Sequence, residues 1–266
     1  SQSQGLIIVS GRARNGITST LYSMLRGHDA YMKQLATVEA EPVVDLENVT
    51  QYRYGEDKNL PERLAAAARR DPDVLMVDRC PDAKTAELVQ GISEEKLVLL
   101  GLHARDSFTA LAKWIQVLGD KETAMSNLLG ISCQVLVRKL CTECREAYRP
   151  DAQMLARANI SADDVEVFYR TPTGPRVDEK GRPIVREHCQ ETGYVGRTGA
   201  FEFMEITDEI RQLVISGADV RQIKAACRKN GMLGLQDQAL RKVIDGTTSI
   251  KEVIRVTQPD KKRKSQ

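Results

Sequence analysis

At 266 residues the chain is long enough to bury a core without covalent staples. Its 39 lysines and arginines nearly cancel its 37 aspartates and glutamates. That balance excludes the global basic excess of a nucleic-acid-binding domain, so no nucleic acid is expected among its partners. No stretch approaches the roughly 18 apolar residues of a membrane span, and six cysteines in a chain of this length suit metal binding or buried thiols in a reducing compartment, hence a soluble cytoplasmic protein.

The first apolar run, Gly5 to Ser10, is continuous and closed by glycine, as a strand buried on both faces of a parallel sheet would be. A helix is predicted from Thr18 to Arg26. Further strands are predicted at Gln34 to Glu39, Val74 to Asp78 and Leu97 to Leu102, alternating with helices at Pro61 to Arg70, Asp82 to Gly91 and Ser107 to Leu118. That alternation means βαβ units and a mainly parallel sheet. From Tyr148 to His188 the chain turns polar and carries the turn signals Thr171-Pro-Thr-Gly-Pro175 and Glu179-Lys-Gly-Arg-Pro183, which read as a small zinc-ribbon-like or hairpin insertion. Helical spacing returns near Asp208 to Ser216, Val220 to Asn230, Leu235 to Asp245 and Ser249 to Arg255. The basic run Lys261-Lys262-Arg263-Lys264 reads as a solvated terminus.

Gly11-Arg12-Ala13-Arg14-Asn15-Gly16-Ile17-Thr18-Ser19 sits between the first strand and the first helix, the context in which G-x-x-x-x-G-K-[ST] forms a phosphate-binding loop. Both glycines and the Thr18 hydroxyl are present, and Ile17 stands where the lysine belongs. Backbone N–H groups and the helix N-terminus still suit phosphate, while the side chain that neutralises β/γ charge is gone. A charge-assisted contact of that kind is worth about 1.5–3 kcal/mol in binding. Arg12 or Arg14 supplies positive charge from a different backbone position. Arg14 stands where the loop usually has glycine and is expected to resist a positive φ. The competing reading is an ordinary strand–turn–helix that binds nothing.

The succession of segments carries a resemblance. Gly5-Leu-Ile-Ile-Val-Ser-Gly11, Thr18-Ser-Thr-Leu-Tyr22, Thr37-Val-Glu39, Asp71-Pro-Asp-Val-Leu-Met-Val77, Leu97-Val-Leu-Leu-Gly-Leu-His103, Leu136-Val-Arg-Lys-Leu-Cys-Thr-Glu-Cys144 and Gly193-Tyr-Val-Gly-Arg-Thr-Gly199 together resemble the C-terminal RecA-like domain of type II secretion and type IV pilus assembly ATPases over residues 5–257. The resemblance implies a RecA-like P-loop core at 1–140, a cysteine-containing insertion and return to the core at 141–199, a C-terminal helical subdomain at 200–258 and a basic disordered tail at 259–266. It implies ATP or ADP with magnesium at Gly11 to Ser19. Glu39 matches the glutamate that polarises the attacking water, and His103 matches the nucleotide-sensing histidine. Ala40 stands where a second acidic residue is expected, and Arg79 where the strand after Val77 would carry the glutamate facing magnesium. Asp78, one residue away, points to the other face of its strand. Arg69 fits one of two arginines before that strand, and Ala65 replaces the other.

The family often carries zinc on two C-x-x-C pairs. Cys141 and Cys144 match the first pair and Cys189 the second slot of the other; Arg186 stands where its partner would be, and the adjacent His188 is a chemically acceptable fourth ligand. A metal-free appendage with buried thiols is the alternative. Cys80, Cys133 and Cys227 read as core residues. Family members form hexameric rings, so a homo- or hetero-oligomer is implied, with inner-membrane secretion or pilus platform proteins as partners and a cytoplasmic or peripheral inner-membrane location. They also carry an N-terminal domain, and a chain that starts almost on the P-loop strand reads as a fragment excised from such a protein. Losses at Ile17, Ala40 and Arg79 fall in one constellation, and phosphoryl transfer depends heavily on electrostatics. The expected function is therefore a degenerate pseudo-ATPase with weak or absent nucleotide binding and a structural or regulatory role. An active motor ATPase is the alternative, and a nucleotide-responsive regulator that binds without hydrolysing is a third.

Overall fold

A computed structural model describes residues 3–55, 59–153, 155, 167–174, 176–177 and 180–257. Glu179 and the basic tail at 259–266 lie outside the described residues. The element order begins β1 (Gly5–Gly11), α1 (Ile17–Arg26), β2 (Leu35–Glu39), β3 (Val49–Arg53), α2 (Leu60–Ala68), β4 (Val74–Val77), α3 (Ala83–Ile92), β5 (Leu97–His103), α4 (Ser107–Leu118) and α5 (Lys121–Ser126). It continues with β6 (Leu128–Leu140), β7 (Glu146–Tyr148), β8 (Phe168–Arg170), β9 (Arg176–Val177), β10 (Pro183–Ile184) and β11 (Tyr194–Glu205). Four helices follow: α6 (Asp208–Ile215), α7 (Val220–Lys229), α8 (Leu235–Ile244) and α9 (Ile250–Thr257). The predicted helices lie within two residues of these bounds. Strands β3, β6 and β11 of the main sheet had no counterpart in the sequence reading; β3 lies at the sheet edge, and no residue of its Val-Thr-Gln-Tyr-Arg run is fully buried.

The main sheet has seven strands in the order β11-β6-β1-β5-β4-β2-β3. Pairing is parallel between β1 and β5, β1 and β6, β5 and β4, β4 and β2, and β2 and β3. The architecture is α/β with a RecA-like parallel core. Strand residues divide by parity between two apolar clusters, as pleating requires. Leu6, Ile8, Leu75, Val77, Val98 and Leu100 join the cluster that packs α2, α3 and α4, whereas Val9, Val74, Met76, Leu97 and Leu99 join the cluster beneath α1. Aspartates start the helices that return to the sheet: Asp82 accepts from Thr85 N at 2.8 Å, Asp106 from Thr109 N at 2.6 Å and Asp120 from Thr123 N at 2.7 Å. Each such cap is worth about 1 kcal/mol.

The chain divides into two compact units, one of residues 1–134 and 202–233, the other of 135–201 and 234–266. The C-terminal helices are shared between them. Helices α6 and α7 pack Ile210, Val214, Ile223 and Cys227 into the core of the first unit. In the second unit α8 and α9 pack Leu240, Val243 and Val253 with Val135, Phe168 and Ala200. The insertion holds two antiparallel pairs, β7 with β8 and β9 with β10.

Candidate functional site

The loop after β1 has the backbone of a phosphate cradle. Gly16 caps α1 in the left-handed region (φ 81) without any side-chain hydrogen bond to the first-turn amides. Arg14 is also left-handed, at φ 64, a conformation that an arginine does not adopt cheaply. The loop imposes it at a cost of about 1–2 kcal/mol. Asn15 donates its side-chain amide to Arg12 O at 3.2 Å, and Gln134 on β6 donates Nε2 to Asn15 O at 2.7 Å. A Cβ at Gly11 would stand 2.9 Å from Gln134 O, which explains the glycine at the strand end. Thr18 is half-buried and Ser19 exposed.

Ile17 does more than omit a charge. Its side chain is buried in the apolar cluster with Val9, Leu21, Leu25 and Met76. The position has become part of the hydrophobic core.

Glu39, the carboxylate expected to polarise water, and Asp78, the neighbour of the position where Arg79 replaces the metal-facing glutamate, are both held by tyrosines. Glu39, buried at the end of β2, accepts from the Tyr22 hydroxyl of α1 at 2.5 Å and from Gln51 Nε2 of β3 at 3.5 Å. The same Tyr22 oxygen accepts from Val43 N at 3.2 Å. Burial and the bond to Glu39 push the Tyr22 hydroxyl up to about 12, so it remains a donor across the ordinary pH range. Asp78 accepts from Ala40 N at 3.0 Å and from the Tyr54 hydroxyl at 2.9 and 3.0 Å. Burial pushes its carboxyl upward, opposed by those bonds. Arg79 donates Nε to the Tyr54 hydroxyl at 2.6 Å, with its guanidinium carbon 5.4 Å from the ring centroid. The Arg79 side chain is thus engaged by Tyr54 at the end of β4, where the resemblance places the glutamate that faces magnesium.

Parallel register aligns these groups along the carboxyl ends of the strands, where open α/β sheets bind ligands. Gly11 pairs with His103, and Val77 with Val38 one residue before Asp78 and Glu39. His103 is exposed, and its carbonyl accepts from Lys113 Nζ at 2.7 Å. It lines a cleft of about 560 Å³ with Arg79, Cys80, Gly101 and Lys113. Arg69 and Ala65 line a separate cleft of about 590 Å³ beside Tyr54. Tyr22, Gln51 and Tyr54 were not anticipated from the sequence. The one signal for Tyr22 was its position four residues after Thr18, one helical turn along α1.

A nucleotide with magnesium fits this site only in part. The backbone cradle and Thr18 suit phosphate, but the two acidic groups are engaged within the protein.

The second unit gathers three of the four predicted metal ligands. The sulfurs of Cys141, Cys144 and Cys189 lie within 4.8 Å of one another, and Cys144 and Cys189 are 3.7 Å apart. Two thiolates on one tetrahedral zinc stand roughly 3.8 Å apart, so these three fit that ion. His188 is corrected: it lies outside the cluster, with Nδ1 3.5 Å from Glu143 Oε1. Arg186 is taken up by Glu191 through its backbone and side chain. Burial raises the Cys189 thiol, but N–H groups of Gly193 and Glu191 and the neighbouring thiols outweigh it and lower its pKa. Burial pushes Cys144 up to about 12. Cys133 and Cys227 are buried core residues, and Cys80 is partly buried.

A family model described as type II/IV secretion system protein matches residues 1–255. The chain belongs to this family. Among its relatives is the type IV pilus assembly ATPase TfpB of Acinetobacter baylyi, 32% identical over 258 residues that cover 96% of this chain and 42% of TfpB. The type II secretion system protein HxcR of Pseudomonas aeruginosa is 31% identical over 261 residues, covering 96% of this chain and 49% of HxcR. The chain therefore spans about half the length of the curated relatives it matches. Among solved structures, the pilus retraction motor PilT with bound ADP superposes with a TM-score of 0.65 at 20% identity, covering 98% of this chain and 63% of PilT. That likeness is one of fold. Among the described residues no helix is long and apolar enough to cross a membrane.

Proposed function

We propose that this member of the type II/IV secretion family is a pseudo-ATPase, a RecA-like subunit with a structural or regulatory role in a secretion or pilus machine. The observation that carries this reading is the engagement of Glu39 by Tyr22 and of Asp78 by Tyr54, beside an Ile17 buried in the core. Hydrolysis needs a free carboxylate near the attacking water, a ligated metal and a cation on the β/γ-phosphates. Here Glu39 is hydrogen-bonded to Tyr22, Arg79 replaces the metal-facing glutamate and Ile17 replaces the cation. In this reading the chain retains the scaffold that family members use to assemble, as a homo- or hetero-oligomer against inner-membrane platform proteins at the cytoplasmic face.

Phosphate release from ATP with magnesium is expected to stay at the buffer background, with Thr18→Ala indistinguishable from the wild type. Turnover above background that Thr18→Ala or Glu39→Ala abolishes would overturn the proposal. The uncapped α1 N-terminus and Thr18 favour a secondary reading, a regulator that binds nucleotide without hydrolysing it. A melting temperature that rises with millimolar ADP supports that reading by mass action, and a constant one removes it.

The cysteine cluster would hold zinc through Cys141, Cys144 and Cys189, tying the start of the insertion to its return. Elemental analysis is expected to find about one zinc per chain, lost in Cys189→Ser and retained in His188→Ala.

A further inference from the structure

The second unit carries a basic pocket, whose lining residue Thr192 donates its hydroxyl to Cys189 O at 2.6 Å. Its volume is about 450 Å³, within the range of small-ligand sites, and Arg138, Thr192, Tyr194, Gly196, Arg197 and Arg255 line it. Among the described residues no acidic side chain lines it.

Two of the arginines are fixed from behind by one buried carboxylate. Glu252, on α9, is fully buried. It accepts from Arg138 N at 3.0 Å, Arg138 Nε at 3.0 Å and Arg138 Nη2 at 2.7 Å. It also accepts from Arg255 Nε at 2.8 Å and Nη2 at 2.6 Å. The Arg138 guanidinium lies 4.1 Å from the centroid of the Tyr194 ring, whose hydroxyl is 2.7 Å from Ser249 Oγ. Both cations are therefore held before any ligand arrives, which lowers the ordering cost of binding. Their bonds to Glu252 use Nε and Nη2 and leave the Nη1 donors over.

Glu252 accounts for Arg138 and Arg255 but not for Arg197. That side chain is exposed and has no ion pair or hydrogen bond among the described residues. Three guanidiniums against one carboxylate leave a surplus of two positive charges at the pocket. Lys139 adds another cation at the rim, its Cε 3.3 Å from where a Cβ on Gly196 would stand. A phosphate monoester carries about 1.5–2 negative charges near neutral pH and accepts hydrogen bonds on three oxygens. A lone carboxylate would leave the surplus uncompensated.

We propose that this pocket binds a phosphate monoester, with Arg138 and Arg255 as preset donors and Arg197 closing on the anion from the rim. The test is calorimetric titration of the whole chain at constant ionic strength with inorganic phosphate, AMP and a polyglutamate peptide. Inorganic phosphate and AMP are expected to bind, and AMP binding more tightly would identify a larger phosphorylated molecule as the ligand. Arg197→Ala should weaken phosphate by roughly tenfold or more with an unchanged melting temperature, since it removes no internal bond. Arg14→Ala, in the P-loop, should leave the affinity as it is. Equal binding by wild type and Arg197→Ala, loss of binding in Arg14→Ala, polyglutamate binding without phosphate binding, or no heat with any ligand would each overturn the proposal. Arg197→Gln serves as the readout should Arg197→Ala melt early.

Discussion

Glu252→Gln is expected to lower the stability of the second unit by about 3–5 kcal/mol, because removing one partner of a buried ion pair leaves the other uncompensated. The lower end of that range is the better expectation, since the Arg138 and Arg255 side chains are 42% and 55% exposed and keep part of their hydration. The same group makes a pH prediction. Burial alone would raise the Glu252 carboxyl, but the bonds from Arg255 and Arg138 bring it from the usual 4.5 to about 2. A carboxyl whose folded value lies below its unfolded value adds stability that is complete above the unfolded value and lost as pH falls toward the folded one. The wild type should therefore lose stability more steeply than Glu252→Gln between pH 4.5 and 2, and urea midpoints measured across that window check it. Parallel pH profiles for the two proteins would remove Glu252 from this role.

Gly101→Ala tests the packing that sets the carboxylates at the strand ends. A Cβ at Gly101 would stand 2.1 Å from the carbonyl oxygen of Asp78 and 2.9 Å from its carbonyl carbon. Both are backbone atoms, so relief requires β4 and β5 to part. Overpacking of this kind costs about 1–3 kcal/mol and sometimes more, and the upper end is expected because no flexible side chain can yield. The substitution should also displace Asp78 from Tyr54. Gly91, on α3, meets nothing within 4 Å, and Gly91→Ala is expected to stabilise by about 0.5–1 kcal/mol through helix propensity and unfolded-chain entropy. Opposite signs in urea titrations of the two variants are the expected result, and a neutral Gly101→Ala would show that the strands yield.

Much of the fold was legible because it depends on local patterns. Continuous apolar runs marked β1, β4 and β5, and the helices predicted from Asp82 and Ser107 begin where the structure caps α3 with Asp82 and α4 with Asp106. Strand β3 escaped because an edge strand need not bury every residue, and its Val-Thr-Gln-Tyr-Arg run is only partly apolar. Spacing singled out the loop after β1 as a phosphate-binding candidate and the Cys141–Cys144 pair as a metal-binding candidate. The fate of Ile17 was not legible, since a missing lysine in sequence looks the same whether its replacement faces solvent or core.

Sequence by itself determined which groups this chain possesses: an α/β succession typical of its family, a loop with P-loop spacing but no lysine, and Cys141, Cys144, His188 and Cys189 as candidate ligands of one metal. Only the tertiary structure decided what those groups do to one another. Tyr22 reaches Glu39 across 17 positions, Tyr54 reaches Asp78 across 24, Cys144 meets Cys189 across 45, and Arg138 meets Glu252 across 114. The physical reason is one of range. Propensity and capping act within a helical turn or a strand, whereas hydrogen bonds and ion pairs form between whichever side chains the folded sheet brings within about 3 Å. Ile17 was visible at once as a lost charge; its place in the core beneath α1 emerged only when Val9, Leu21 and Met76 closed around it.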